Sequence, residues 1–134
     1  MKINVLIVDD NKDLSSLLGS CISRFPDINL SGIANNALKG LQIMQQKRID
    51  VLLLDIIMPN MDGFELLRQI SLLNIVKPVI IIFSALGSEQ FKQKAFELGA
   101  NAFLTKPAKI EAVVDEIRSL CHSARNNKSN LSVV

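Results

Sequence analysis

The stretch VLLLDIIMPNMDG, Val51 to Gly63, decides how this chain is read. Four apolar residues run without a polar break into one carboxylate, Asp55, and a proline (Pro59) and a glycine (Gly63) follow. An unbroken apolar run of this kind reads as a strand buried on both faces, the habit of parallel sheets with helices on either side. Ile3–Val8 (INVLIV) and Pro78–Phe83 (PVIIIF) have the same character. Ile28–Ala34 (INLSGIA) and Ala102–Leu104 (AFL) complete a set of five apolar runs.

Helical patterns fill the intervals. Leu14, Leu17, Leu18, Cys21 and Ile22 recur at three- and four-residue spacing and predict one apolar face; Ala37, Leu41 and Met44 predict a second. Phe64–Leu73 and Phe91–Leu98 are shorter segments, the latter with Phe91 and Ala95 turned inward and Phe96 left over. Ile110, Val113, Val114, Ile117, Leu120 and Cys121 form the clearest stripe. Asn11, Asp62 and Ser88 are placed as N-caps, and Glu65 stands three residues beyond Asp62 as in a capping box. The order is β-α repeated, an α/β chain whose short connections require parallel strands, right-handed crossovers and helices on both faces. Residues 1–125 read as one domain, and Asn126–Val134 as a polar, frayed tail or the start of a linker to an absent effector domain.

Composition narrows the function. A chain of 134 residues supports one core, and 49% hydrophobic with 21% charged residues is a globular mixture. A net charge of +2 without a basic run, and aromatics at 4%, all Phe, give nucleic acid neither a cationic face nor a stacking platform. Cys21 and Cys121 lack zinc-site spacing and read as reduced apolar residues. The N-terminal apolar run is too short to span a membrane and has no cleavage pattern, so a cytoplasmic protein with no membrane partner is expected.

In an open parallel sheet, function sits beyond the carboxyl ends of the strands. Here those ends carry Asp9 and Asp10, then Asp55, then Ser84 and Ala85, then Thr105, Lys106 and Pro107. Any one of these has an ordinary explanation as a cap, a turn or a solvated side chain; no ordinary explanation covers all of them at one edge. Gathered carboxylates repel unless a cation lies among them, and oxygen donors suit a hard divalent ion such as Mg²⁺. Lys106 adds a charge that a carboxylate–metal site does not need but a dianionic phosphoryl group does, and Ser84 offers that group a donor. An aspartate can act as the nucleophile. The set reads as a phosphoryl-transfer site.

At these residues the chain resembles the receiver domain of two-component response regulators, through VDD (Val8–Asp10), DIIMPNMDG (Asp55–Gly63), SALG (Ser84–Gly87) and TKP (Thr105–Pro107), over about Lys2 to Arg125. Within that family it is most similar to the receivers of sporulation transcription regulators, through DIIMP, GIANNA and SALGSEQ. The resemblance implies a flavodoxin-like (CheY-like) five-stranded sheet in the order 2-1-3-4-5. It implies that Asp55 accepts the phosphoryl group, from a sensor histidine kinase, a histidine phosphotransfer protein or a small phosphodonor. It implies a divalent ion (Mg²⁺, or Mn²⁺ or Ca²⁺) bound by Asp9, Asp10, Asp55 and the Ile57 carbonyl. It implies that Lys106 pairs with Asp55 and then with the phosphoryl group, aided by a cis Lys106–Pro107 bond. Ser84, Ala85 and Phe103 belong to the phosphoryl-binding and switch apparatus, and the surface of the fourth helix, fifth strand and fifth helix is what changes. The resemblance implies a domain that turns over no separate substrate beyond its own phosphorylation and dephosphorylation.

The output implied is control of an effector, with transcription foremost, DNA being touched only through an effector domain; phosphorylation-dependent homodimerisation through an exposed Phe96 is a further expectation. A stand-alone receiver passing its phosphoryl group to a phosphotransfer protein is the alternative. An aspartate-nucleophile phosphohydrolase would place its two acids in a D-x-D pair on one strand, and a flavin-binding domain would not put the acidic DDNKDL loop (Asp9–Leu14) where a phosphate must sit. Two bulky apolar residues, Ile57 and Leu86, each lie two positions past a site residue and predict hindered access of water to an acyl phosphate.

Overall fold

The computed structural model describes residues 2–58 and 62–133, with side chains as far as residue 125. Five strands, β1 (Ile3–Val8), β2 (Ile28–Ala34), β3 (Val51–Leu54), β4 (Val79–Ser84) and β5 (Ala102–Thr105), alternate with α1 (Lys12–Ile22), α2 (Ala37–Gln46), α3 (Gly63–Leu72), α4 (Glu89–Glu97) and α5 (Ile110–Val133). The strands form one parallel sheet in the order β2-β1-β3-β4-β5. Fold class, order and strand positions match expectation; β4 begins one residue later, at Val79 rather than Pro78, because proline has no N–H to give the ladder.

The unbroken apolar runs are explained by the two layers. Successive strand side chains point to opposite faces. Leu6, Val8, Leu52, Leu54, Ile80 and Ile82 face one core, shared with Met44 of α2, Leu66, Leu67 and Ile70 of α3, and Ala95 of α4. Val5, Ile7, Val51, Leu53, Ile81 and Phe83 face the other, closed by Ile22 of α1 and by Val113, Val114, Ile117 and Cys121 of α5. With both faces covered, neither register of the alternation leaves a polar position in the middle of the sheet, so the central strands are apolar apart from Asn4 near the start of β1 and Ser84 at the end of β4.

The helices bear out their caps. Leu14 N donates to Asn11 Oδ1 at 3.0 Å, Glu65 N to Asp62 Oδ1 at 2.8 Å and Phe91 N to Ser88 Oγ at 3.2 Å. Only half of the predicted capping box forms, because the two Glu65 carboxylate oxygens accept from Arg68 and Gln69 instead. The inward face of α1 also differs from the leucine stripe. Ser15, Gly19 and Ile22 are buried, with Leu18 and Cys21 beside them, while Leu14 and Leu17 stand in solvent. Close approach decides it: a Cβ at Gly19 would lie 2.9 Å from Leu30 Cδ2 and 3.0 Å from Ile33 Cδ1, so α1 seats on β2 through its smallest residues. On α4, Ala95 is buried and Phe91 stacks on Phe64 (centroids 5.9 Å apart), leaving Phe96 47% exposed. The last helix continues through Val133, across the stretch expected to fray; the side chains from Asn126 onward lie outside the described residues. Among the described residues no helix is long and apolar enough to cross a membrane.

At the amino edge of the sheet, Arg118 of α5 grips Asp27, which precedes β2, with Nε and one terminal nitrogen at 2.7 and 2.8 Å, and its guanidinium lies over the Phe25 ring at 5.3 Å. The hydrogen bonds from Arg118 hold the Asp27 carboxyl below its usual range, and Asp27 in turn raises the guanidinium. A depressed carboxyl contributes stability that is complete above its unfolded-state pKa and is lost as pH falls through the folded-state value. The pair is partly open to solvent, which screens it. Arg118→Ala is therefore expected to lower the urea midpoint at neutral pH, with the gap from wild type closing in acid as Asp27 protonates; a gap of constant size across that range would contradict this account of the pair.

Candidate functional site

Register brings the acids together. Val8 pairs with Leu54 across the β1–β3 ladder, so Asp9 and Asp55 emerge side by side at the carboxyl edge. The ladder continues one step past the strands: Asp9 N donates to Ala34 O and Asp55 N to Val8 O, both at 3.0 Å. Carboxylate oxygens of Asp9, Asp10 and Asp55 all fall within 4.8 Å of one another, with Asp9 buried, Asp55 half-buried and Asp10 exposed. This donor set is hard, anionic and oxygen-only, which fits Mg²⁺ and offers a softer ion nothing.

The opposing charge comes from the far side of the sheet. β4 and β5 pair as far as Ser84 and Thr105, and Lys106 N donates to Ser84 O at 2.8 Å. Lys106, which precedes Pro107 through a cis peptide bond, sends its side chain back across the edge. Its ammonium lies 2.6 Å from Asp9 Oδ2, 3.6 Å from Asp55 Oδ2 and 5.3 Å from the centroid of the Phe83 ring. The expected partner was Asp55; the short hydrogen bond goes to Asp9, and Asp55 is in ion-pair reach only. Both acids are held alike by their own loops, Asp55 Oδ1 accepting from Ile57 N at 3.2 Å and Asp9 Oδ1 from Asn11 N at 2.9 Å, which leaves each Oδ2 on the side of the ammonium.

The loop after β3 is built for close approach. Gly63 N donates to Ile56 O at 2.6 Å, and a Cβ on Gly63 would stand 2.5 Å from Ile56 Cα and 2.8 Å from Asp55 O, so no side chain fits there. Pro59, expected to turn the chain here, lies outside the described residues. Ile57 and Leu86 are 50% and 42% exposed, and both belong to segments that follow site residues.

Ser84 is buried, and its Oγ accepts from Leu86 N at 3.2 Å, so its hydroxyl oxygen is held by its own turn. Ala85 is exposed at the rim. Phe103 is half-buried against the α2–α4 core, with Lys92 Nζ 5.9 Å from the ring centroid. Every side chain expected at this edge is placed there or beside it. One residue with a direct hold on the acids escaped the sequence reading: Asn35, whose Nδ2 donates to Asp9 O at 2.8 Å and to Ser15 Oγ at 3.1 Å. Its place just past the second strand, inside the segment GIANNA, was the available signal. A groove of about 600 Å³ at the opposite edge, lined by Lys2, Arg48, Asp50 and Lys77 among others, holds none of this chemistry.

Solved structures of other proteins share this fold. The response regulator domain of Thermotoga maritima CheB is 28% identical, covering 91% of this chain and 98% of that one, with a TM-score of 0.83. The receiver domain of the Francisella response regulator 1452 is 27% identical over 92% of this chain and 99% of that one, with a TM-score of 0.82. The signal receiver domain of the Mycobacterium tuberculosis putative response regulator NarL is 25% identical over 87% and 97%, with a TM-score of 0.78. The response regulator receiver domain family matches residues 5–118, a span that holds the sheet from Val5 of β1 through β5, all three acids and Lys106. The chain belongs to that family, a receiver domain of two-component signalling.

Proposed function

We propose that this domain is a phosphorylation-controlled switch whose acceptor is Asp55. The observation that carries the reading is the meeting of three carboxylates with one ammonium at a single sheet edge, inside the span that matches the receiver family. A carboxylate oxygen of Asp55 attacks the phosphorus of a phosphohistidine or of a small acyl phosphate. A P–O bond to Asp55 forms as the bond from phosphorus to imidazole nitrogen, or to the acyl oxygen, breaks, and the leaving group departs with the electron pair. Asp9, Asp10, Asp55 and the carbonyl of Ile57 would hold Mg²⁺, which when bound neutralises charge on the phosphoryl oxygens. Lys106 then exchanges a carboxylate partner for a phosphoryl oxygen, and Ser84 gives up its bond from Leu86 N to donate its hydroxyl proton to another.

Rotation of Ser84 frees volume beside Phe103, and the phosphoryl group thereby biases the arrangement of α4, β5 and α5. Phe103 packs against the core that includes Ala95 of α4, which supports a mechanical link between the two. A histidine kinase or phosphotransfer protein is the phosphodonor of this reading. The changed surface controls an effector, and transcriptional output follows the narrower likeness to sporulation regulators carried by DIIMP, GIANNA and SALGSEQ. Homodimerisation on phosphorylation would draw on the exposed Phe96.

Incubation with acetyl phosphate and Mg²⁺ is expected to add one phosphoryl group by intact mass, and Asp55→Ala to abolish it; labelling that survives this substitution moves the acceptor elsewhere. The exposed apolar side chains of Ile57 and Leu86 offer an attacking water no polar group to orient it, so the acyl phosphate is long-lived. Replacing Ile57 with Asn should shorten its half-life several-fold, and an unchanged half-life removes this role for the side chain. Sedimentation with and without a phosphoryl mimic is expected to show association only with the mimic, weakened by Phe96→Ala; a monomer in both states defeats the dimer.

A further inference from the structure

Asp9 and Asp10 are sequence neighbours with opposite surroundings. Asp9 is held on every polar group: its N–H by Ala34 O, its Oδ1 by Asn11 N, its Oδ2 by Lys106 and its carbonyl by Asn35. Asp10 is exposed. What aims Asp10 is therefore the peptide that precedes it. That peptide is planar, so fixing the Asp9 carbonyl also fixes Asp10 N and Asp10 Cα.

A single side chain sets that carbonyl. Asn35 follows β2 directly, and its Nδ2 has two hydrogens to give. One goes to Asp9 O at 2.8 Å and the other to Ser15 Oγ at 3.1 Å. Ser15 is buried on the inward face of α1, and its Oγ also contacts Lys12 O at 3.1 Å, so it is a rigid post rather than a mobile surface hydroxyl. The amide thus ties the end of β2, the loop bearing Asp9 and Asp10, and the first turn of α1 into one unit. It touches no carboxylate, and a Coulombic role is absent because the group is neutral.

We infer that Asn35 is a positioning residue for metal binding: by clamping the Asp9 carbonyl against Ser15, it holds the Asp10 carboxylate where it can converge with Asp9 and Asp55 on a divalent cation. The inference rests on the reading of this edge as a Mg²⁺-dependent acceptor site. Partners one bond removed from a metal's ligands commonly govern affinity by 10- to 100-fold. Asn35 is half-buried, and after its truncation the Asp9 carbonyl can take a water while Ser15 keeps Lys12 O. Folding is thus affected less than metal binding.

The test is calorimetric titration of MgCl₂ into wild type, Asn35→Ala and Asn35→Leu, with thermal unfolding of each in the absence of metal. Leu keeps much of the volume of Asn and changes no charge, so it separates the lost donor from a lost side chain. Both variants are expected to bind Mg²⁺ roughly 10-fold or more weakly than wild type, with unfolding midpoints close to it. Wild-type affinity in either folded variant overturns the inference, as does a lowered midpoint with unchanged affinity, the mark of a purely structural role. Failure of the wild-type protein itself to bind Mg²⁺, or to label at Asp55, refutes the underlying site reading instead.

Discussion

Parallel pairing of β1, β3 and β4 between two helical layers is the constraint from which the rest follows. Buried on both faces, these strands carry apolar side chains through their middles, and their polar residues, Asn4 and Ser84, fall near the ends. All strands run the same way, so the ends with free space above them lie at one edge. Asp9 and Asp55 are adjacent because Val8 and Leu54 are register partners, and Lys106 reaches them because β5 ends beside Ser84. The acids are brought together against their own repulsion by hydrophobic burial below them, with the ladder bonds from Asp9 N and Asp55 N setting their spacing.

The balance of charge at that edge is uneven. One ammonium serves two carboxylates, closer to Asp9 than to Asp55, and a third carboxylate, Asp10, faces solvent. The excess of negative charge invites a divalent cation, and the cation together with Lys106 suits a dianionic group. Ser84 ends β4 beside this point, and Phe103 of β5 packs on the core that α4 shares.

Much of this was legible in the residues. Continuous apolar runs announced buried strands, caps at Asn11, Asp62 and Ser88 placed helix starts, and the acids at run ends marked the site. Two expectations failed, each for its own reason. The stripe Leu14, Leu17, Leu18, Cys21, Ile22 is the most hydrophobic face of α1, but the helix packs through Ser15 and Gly19, because distance to Leu30 and Ile33 rather than hydropathy selects the contact. Glu65 left its capping role because both its carboxylate oxygens are taken, one by the charged Arg68 guanidinium and the other by the Gln69 amide one turn on.

Sequence alone determined the fold class, the five strands and which side chains gather at the edge, since hydrophobic periodicity and turn chemistry are local and survive without coordinates. Only the tertiary structure decided who holds whom. That Lys106 bonds Asp9 more closely than Asp55, and that Asn35 fastens the Asp9 carbonyl to Ser15, are facts about atoms distant in the chain. Hydrogen bonds act over about 3 Å, and no pattern of residue types resolves such a distance until the strands are in register.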